Sequence, residues 1–471
     1  MYNNKNIWIV GGYIRDWLLQ RECNDIDLVT DANAKKVAQI FAKKNKGSFI
    51  TLDDFNKIYR VVIKDKIYDF SQLQGMGGSR EMWIVDDLSR RDFTINAMAT
   101  QITDCPPTSR RAGRLQIADI IDPFNGLADI KNKIIRTICE KNLVADPLRL
   151  LRAYRFAGQL NFKIEPKTKK YIKNYSRNLK NIPSERILYE LFLILELQNS
   201  YSVILELYKS GLLNELFPEL ISAKNIAKCY YPEMGLLGHS FDTLKVLEKF
   251  YTAGFKNVFP QYTKKIIQHL EQKISRTIKR KTLLKLAALL HDIGKPTVAK
   301  KIDGRLRFFE HEERGCETIV NIGKRLKLSN TEINYLIKLI RHHMRIGNLT
   351  TAKMLTDKAV WRFFRDLTDD AIDLIVLSVA DAYTYPKGRT RTLHKIIANK
   401  LLHKYYSKKE KIIPKKLLNG FDVMRILKIP EGPLVGKILQ KIEETQVIKK
   451  ISTKQDAEKY IKHLDKTKKN L

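Results

Sequence analysis

The chain has 471 residues, of which 44% are hydrophobic, so it is long enough for about two to four domains that each bury a core. Lysine and arginine number 86 against 51 acidic residues, and the net charge of +35 favours a polyanion such as nucleic acid as partner, although Lys-, Asn- and Ile-rich codon usage would also raise it. No apolar stretch fits a signal peptide or a membrane span, and five scattered cysteines without a CxxC pair exclude a disulfide framework, so the protein is predicted to be cytoplasmic, with no membrane partner.

Strand-like apolar runs are concentrated in the first third of the chain, and helical spacing dominates after roughly residue 135. This pattern predicts an α+β fold in which a mixed sheet with helices forms an N-terminal head and the remainder is all-helical. Breaks at YYPEMGLLG and YYSKKEKIIPKK suggest further boundaries, whereas TDCPPTSRRAGRLQ (103–116) reads as a polar insertion in a surface loop. The predicted domains are 1–138, 139–232, 233–404 and 405–471.

The first predicted unit, IWIVGGYIRDWLLQRECNDIDLVT (7–30), reads as strand, turn, helix and strand. Gly11 and Gly12 form the turn, with positive φ or close backbone approach expected at Gly12, and Arg15 adds a positive charge to the first helical turn. Asp25 and Asp27 are two residues apart on a strand, so both carboxylates leave the same face and can hold one or two Mg²⁺ ions. A Gly-Gly turn or a DxD pair alone also fits a solvated loop with surface aspartates.

Their ordered combination resembles the active-site signature of the DNA-polymerase-β-like nucleotidyltransferase superfamily. That resemblance implies a third acid on a neighbouring strand, for which Asp69 is the candidate, although a plain strand-end aspartate fits equally. Four further stretches, DDLSRRDFTINAMA (86–99), IIDPFNGLADIKNKIIRTI (120–138), ADPLRLLRAYRFAGQLNF (145–162) and PSERILYEL (183–191), occur in the order seen in class II tRNA nucleotidyltransferases and bacterial poly(A) polymerases.

The resemblance implies a role for each matching residue. Asp25 and Asp27 are the catalytic, Mg²⁺-holding pair, and the nucleotide is expected to contact Gly11, Gly12, Arg15, Arg91, Asp92 (at the ribose), Asn96, Asp146, Arg149, Arg152 and Arg155. It further implies that residues 139–232 form a helical neck for base selection and RNA binding.

Asp146 and Arg149 fall at the positions that read the base. Cytosine and adenine each present an amino donor beside a ring-nitrogen acceptor, so a carboxylate and a guanidinium can pair with either, whereas guanine and uracil offer the wrong order. The pair would therefore select CTP or ATP without a template. Taken alone, the same stretch could be a helix N-terminus with surface arginines.

A second predicted site begins at LAALLHDIGKP (286–296), where His291 and Asp292 end an apolar helix. With further histidines and an aspartate along the chain, the order resembles the HD metal-dependent phosphohydrolase domain. The resemblance implies that a divalent metal (Mg²⁺, Mn²⁺ or Ni²⁺) is held by His239, His291, Asp292 and Asp381, with His311 and His342 as a possible second position and His343 as another candidate. Any one of these histidines alone could be an ordinary buried side chain.

Together these patterns predict template-independent addition of CCA to tRNA from CTP and ATP, with tRNA as partner, and possible phosphatase or phosphodiesterase activity in the HD domain. The stretch 417–446 also resembles the tail of nucleotidyltransferases that carry an HD domain, and its basic helices suit phosphate contacts with tRNA or a plain solvated hairpin. The alternatives are a poly(A) polymerase or A-adding enzyme, and an HD phosphohydrolase with an RNA-binding head.

Overall fold

The chain is described here by a computed structural model that covers residues 7–73, 79–102, 120–275, 278–351, 355–412, 415–448 and 450–466. The residues form two compact units, Met1–Leu216 and Phe217–Leu471. The insertion predicted at 103–116 lies outside the described residues.

The N-terminal unit begins with a seven-stranded mixed sheet in the order β3-β4-β5-β2-β1-β6-β7. Its only parallel ladder among the described strands joins β2 to β5. The strands are β1 (Ile7–Val10), β2 (Asp25–Thr30), β3 (Ser48–Asp53), β4 (Ile58–Ile63), β5 (Lys66–Gln72), β6 (Ala99–Ile102) and β7 (Ile120–Ile121), and the helices of the head are α1 (Gly12–Leu18), α2 (Ala34–Lys44), α3 (Arg80–Ser89) and α4 (Gly126–Asn132).

The core of the head forms where α2 packs on the sheet. The helix begins after Asn33, whose side chain accepts a hydrogen bond from the Lys36 amide at 2.9 Å, and its apolar face is buried. Phe41 packs against Tyr68 and Phe70 of β5, with ring centroids 4.9 and 5.4 Å apart. This packing fixes β5 beside β2, the strand that carries Asp25 and Asp27.

The remainder of the N-terminal unit is helical, with one small exception. Its helices are α5 (Glu140–Ala145), α6 (Leu148–Leu160), α7 (Pro166–Tyr175), α8 (Ser184–Glu196), α9 (Ser200–Lys209) and α10 (Leu212–Leu216). The exception is a parallel pair of two-residue strands, β8 (Ile134–Ile135) and β9 (Lys163–Ile164). Two residues are too few to show an alternating pattern, so the sequence did not predict this pair.

The described residues of the C-terminal unit are also largely helical and include a hairpin formed by β10 (Lys300–Ile302) and β11 (Arg305–Arg307). No helix in the described parts of the chain is apolar over enough residues to cross a membrane. The helices are α11 (Pro218–Ile221), α12 (Gly235–Lys249), α13 (Phe255–Val258), α14 (Thr263–Leu270), α15 (Arg280–Leu290), α16 (Lys295–Val298), α17 (His311–Leu326), α18 (Asn330–His342), α19 (Arg345–Thr351), α20 (Asp357–Leu367), α21 (Ala371–Ala382), α22 (Arg389–Ile412), α23 (Gly420–Leu427), α24 (Pro433–Val447) and α25 (Lys454–Lys466).

The predicted fold class is confirmed, because a mixed sheet with helices is followed by a largely helical region. The boundaries after residues 138, 232 and 404 stay predictions. The two compact units divide between Leu216 and Phe217, ahead of the boundary predicted after residue 232.

Candidate active site and candidate metal centre

The bend between β1 and α1 depends on Gly11. Its φ of 77° and ψ of −138° are accessible to glycine, whereas Gly12 is the first residue of α1, so the positive φ expected at Gly12 lies at Gly11 instead. A Cβ atom on Gly11 would lie 2.7 Å from Arg91 Nη1 and 3.1 Å from Asp27 Oδ2. The missing side chain therefore lets a guanidinium and a carboxylate approach the bend.

Three carboxylates lie on one face of the sheet beside this bend. Asp25 and Asp27 are two apart on β2, and Asp69 on β5 is the register partner of Asp27. Burial, together with the smaller effect of the Asp25 and Asp69 carboxylates, raises the pKa of Asp27 to about 6 against the opposing charge of Arg91. Arg60 donates to both oxygens of Asp69 at 2.8 and 2.7 Å. Asp69 thus lies where the third acid was predicted but is already paired, and the repulsion between Asp25 and Asp27 fits a Mg²⁺ site formed by carboxylate oxygens.

A chain of buried polar side chains continues from the bend toward α6. Arg15 donates to both carboxylate oxygens of Asp16 at 3.0 and 2.7 Å and to Asn96 Oδ1 at 2.6 Å. Asn96 in turn donates to Asp92 Oδ1 at 3.0 Å, and Arg152 Nε donates to Asp92 Oδ2 at 2.9 Å. Burial alone would raise the pKa of Asp92, but Arg152 and Asn96 outweigh burial and lower it. Asp92 is therefore a fixed anion.

Arginines of α1 and α6 cluster around one ring of α6. The guanidinium groups of Arg15, Arg152 and Arg155 lie 4.9, 5.2 and 4.1 Å from the centroid of Phe156. Glu190 of α8, which is 2% exposed, accepts a hydrogen bond from Arg155 Nε at 2.6 Å. These contacts hold the cluster in one geometry.

The predicted base-reading pair is anchored by the protein. Arg149 donates to the backbone carbonyls of Arg90 at 2.8 Å and Asn142 at 3.2 Å. Arg186 of α8 donates to Asp146 Oδ2 at 2.9 Å. Both side chains are consequently oriented before any base arrives.

One cavity of about 560 Å³ brings together the twelve residues predicted for the catalytic pair and the nucleotide. Sequence reasoning missed seven others that line it: Asp16, Cys23, Phe156, Arg186, Tyr189, Glu190 and Leu193. The last four are spaced at i, i+3, i+4 and i+7, and the stretch PSERILYEL that contains three of them had been recognised only as a motif.

A second group of metal-binding side chains lies in the C-terminal unit. His239 of α12 lies with its Nε2 atom 3.0 Å from Asp381 Oδ1 of α21 and 3.3 Å from His291 Nε2, at the end of α15. The ligand atoms of these three residues all lie within 4.8 Å of one another. Three of the four residues predicted for the HD metal thus form one set.

The fourth, Asp292, belongs to an adjoining set with His311 and His343. His343 Nε2 lies 3.3 Å from both Asp292 Oδ1 and His311 Nε2. The set contains His343 and not the predicted His342, because successive residues of a helical backbone point about 100° apart, and only one of the adjacent pair can face His311. His343 is 3% exposed, whereas His342 is half-buried on another side of the helix.

The two sets fit divalent metal ions. Asp292 Oδ1 and Asp381 Oδ1 are buried and accept no well-formed hydrogen bond from the described residues, although histidine nitrogens lie close. Burial would raise the pKa of Asp381, but His239 and His291 outweigh burial and lower it to about 2. Ionised carboxylate oxygens and imidazole nitrogens that converge in this way are ligands of many divalent metals, so the donor set does not select one.

Three family models match the chain. The Poly A polymerase head domain matches residues 7–136, the probable RNA and SrmB-binding site of polymerase A matches 161–224, and the HD domain matches 261–385.

Two curated relatives match over nearly their full length. An A-adding tRNA nucleotidyltransferase of Deinococcus radiodurans is 29% identical, over 96% of this chain and 94% of that protein. A CC-adding tRNA nucleotidyltransferase of Geobacter sulfurreducens is 27% identical, over 96% of this chain and 91% of that protein. Among solved structures, a CCA-adding enzyme with ATP has a TM-score of 0.63 at 21% identity, over 97% of this chain and 89% of that one, which shows a shared fold.

Proposed function

Because the chain belongs to the tRNA nucleotidyltransferase/poly(A) polymerase family and carries an HD domain, we propose that it adds CCA to the 3′ end of tRNA. CTP and ATP are the substrates, the RNA 3′-hydroxyl attacks the α-phosphorus, and pyrophosphate leaves. The observation that carries this proposal is the single cavity that combines an acidic pair, an arginine cluster and a carboxylate–guanidinium pair.

Each part of the cavity has a task in this reaction. Asp25 and Asp27 hold Mg²⁺, which when bound supplies charge neutralisation at the phosphates. Arg91, whose guanidinium lies at the glycine bend, meets the triphosphate there. Asp92 is kept ionised by Arg152 and accepts a hydrogen bond from the ribose hydroxyl. The acceptor and the nucleotide are thereby brought together in one orientation.

The base is chosen by Asp146 and Arg149. Asp146 accepts from the amino group of cytosine or adenine, and Arg149 donates to the adjacent ring nitrogen. Arg186 keeps Oδ2 of Asp146 in place, and Oδ1, which accepts a long hydrogen bond of 3.4 Å from the Leu148 amide, meets the base. With guanine or uracil, the Asp146 carboxylate would face a carbonyl acceptor and the Arg149 guanidinium would face an N–H donor. Neither hydrogen bond could form, which costs binding energy.

Incubation of the protein with tRNA that ends before CCA, supplied with CTP alone, ATP alone or both, tests this proposal. We expect two C additions from CTP alone and completion by ATP. Asp25→Ala abolishes incorporation, and Asp65→Ala, which changes an exposed aspartate in the turn between β4 and β5, leaves it intact. Addition of A alone or of CC alone, as the names of the Deinococcus and Geobacter relatives describe, would reduce the assignment to a partial reaction.

A second activity is favoured by the two three-residue sets of candidate metal ligands in the HD domain. Beside them lies a cavity of about 480 Å³, whose lining includes Lys295, Arg389 and His394. Lys295 donates to Asp292 Oδ2 at 2.6 Å. Its ammonium group therefore lies beside the candidate metal ligands, where it could bind the phosphate of a substrate. The HD domain then hydrolyses phosphate esters with Mg²⁺, Mn²⁺ or Ni²⁺, which supplies Lewis acidity when bound.

Phosphate release from nucleotides and from RNA ending in a phosphate tests the second activity. We expect it to persist in Asp25→Ala and to vanish in His291→Ala, whereas CCA addition shows the opposite response. If the protein released phosphate but never extended RNA, the alternative of an HD phosphohydrolase with an RNA-binding head would replace the leading proposal.

The proposal also includes contacts between tRNA and the C-terminal segment. Helices α23 to α25 enclose a small apolar core of their own, and the segment 405–471 would hold tRNA through phosphate contacts. We place the reaction in the cytoplasm.

A further inference from the structure

One face of α8 is directed into the nucleotide cavity. Arg186, Tyr189, Glu190 and Leu193 follow one another at helical spacing, and all four line the cavity. Tyr189 is 64% exposed, which is a large open fraction for an aromatic side chain on a helix whose apolar neighbours are buried. The cavity therefore presents an uncovered aromatic ring beside groups that bind a nucleotide.

This ring stands on a rigid support. Arg186, one turn before Tyr189, is tied to Asp146 at 2.9 Å, and Glu190, the next residue, is tied to Arg155 at 2.6 Å. Glu190 is 2% exposed, so its ion pair is shielded from water. A tyrosine on such a support loses little conformational freedom when a flat ligand stacks on it.

We infer that Tyr189 is the stacking platform for the 3′-terminal base of the RNA acceptor. The incoming base is read at its edge by Asp146 and Arg149, so it can be selected without an aromatic contact. The acceptor end, in contrast, changes identity after every addition, so its base must be held without edge recognition. Stacking on an aromatic ring accepts every base because each base has a π-face.

The inference rests on the proposed transfer to an RNA end, and a cycle of two changes tests it. One change is Tyr189→Ala, and the other replaces the terminal nucleotide of the acceptor tRNA by an abasic nucleotide that keeps its 3′-hydroxyl. Because stacking of one base on an aromatic ring contributes about 1–3 kcal/mol, each change alone lowers kcat/KM for tRNA roughly 5- to 150-fold. Both together lower it little further, since they remove the same contact.

Controls separate stacking from other effects. Tyr189→Phe keeps the ring and retains near wild-type kcat/KM. Phe55→Ala removes an aromatic ring that is 92% exposed in the turn between β3 and β4 and does not line the cavity, and it leaves kcat/KM for tRNA unchanged. The KM for CTP, measured at saturating tRNA, stays within about twofold in Tyr189→Ala.

Two outcomes overturn the inference. Losses that multiply across the cycle show that Tyr189 and the terminal base act independently, and a rise in the KM for CTP assigns the ring to the incoming base. Failure of the proposed function is distinguishable, because wild-type protein would then extend no intact tRNA at all.

Discussion

Gly11→Ala is the sharpest test of how the glycine bend forms the active site. An alanine at this φ of 77° and ψ of −138° is strained by about 1–3 kcal/mol, whatever surrounds it. Its Cβ would start 2.7 Å from Arg91 Nη1 and 3.1 Å from Asp27 Oδ2. To restore an ordinary contact of 3.4 Å, the guanidinium must retreat by about 0.7 Å and the carboxylate by about 0.3 Å.

The backbone strain and these displacements predict two separate losses. The strain lowers the melting temperature by roughly 2–4 °C for each kcal/mol in a unit of this size. The movement of Arg91 and Asp27 lowers kcat for nucleotide incorporation by about 10- to 100-fold, because a misplacement of about 1 Å costs about 10²-fold in well-oriented reactions. Incorporation of labelled CTP into tRNA lacking CCA measures kcat, and calorimetry measures stability.

Gly304→Ala is the matched control, because it places an alanine at a similar positive φ without the clash. Gly304 has a φ of 73°, and a Cβ there would meet no atom within 4 Å. We expect a comparable stability loss in the C-terminal unit with kcat for incorporation unchanged. A Gly11→Ala protein with wild-type kcat, or a Gly304→Ala protein that loses as much activity, would refute the reasoning.

Three further substitutions test the surroundings of the two sites. Glu190→Gln removes a buried charge that faces Arg155 at 2.6 Å, and we expect about 2–4 kcal/mol less stability in urea denaturation, so an unchanged midpoint would contradict the pairing. Phe156→Leu removes a ring shared by three guanidinium groups and raises the KM for CTP and ATP several-fold in steady-state kinetics, whereas an unaltered KM would show the ring to be mere packing. His343→Ala lowers the amount of metal bound per chain, measured by atomic absorption after dialysis, and His342→Ala does not; the reverse result would restore the sequence-based choice.

Secondary structure and site residues could be predicted from the sequence where both are determined by the same short segment. The strand–turn–helix–strand unit of residues 7–30 could be predicted because apolar spacing defines the elements and the glycines mark the bend. Two aspartates separated by one residue on a strand lie on one face in any sheet, so Asp25 and Asp27 needed no tertiary information. The position of Asp69 beside Asp27 depended on which strands pair, which the sequence alone does not specify.

Tertiary contacts explain what the sequence did not predict. Glu190 and Arg186 contact Arg155 and Asp146, which are 35 and 40 residues away, and no local pattern encodes such pairings. The choice between His342 and His343 was likewise beyond local reasoning, because both histidines end the same helix and only the approach of α17 decides which one faces the ligands. A helical-wheel count on α8 could still have grouped Arg186 with Tyr189.

Opposite pKa shifts within one cavity show how its charges are divided. Asp92 lies among arginines that already balance it, so its pKa is lowered and it needs no further cation. The pKa of Asp27 is raised to about 6 because burial and two neighbouring carboxylates outweigh Arg91. A cation is therefore favoured at Asp27 and not at Asp92. In the proposed reaction, the arginine side of the cavity would orient the nucleotide, and the acidic side would attract the metal ion that accompanies its phosphates.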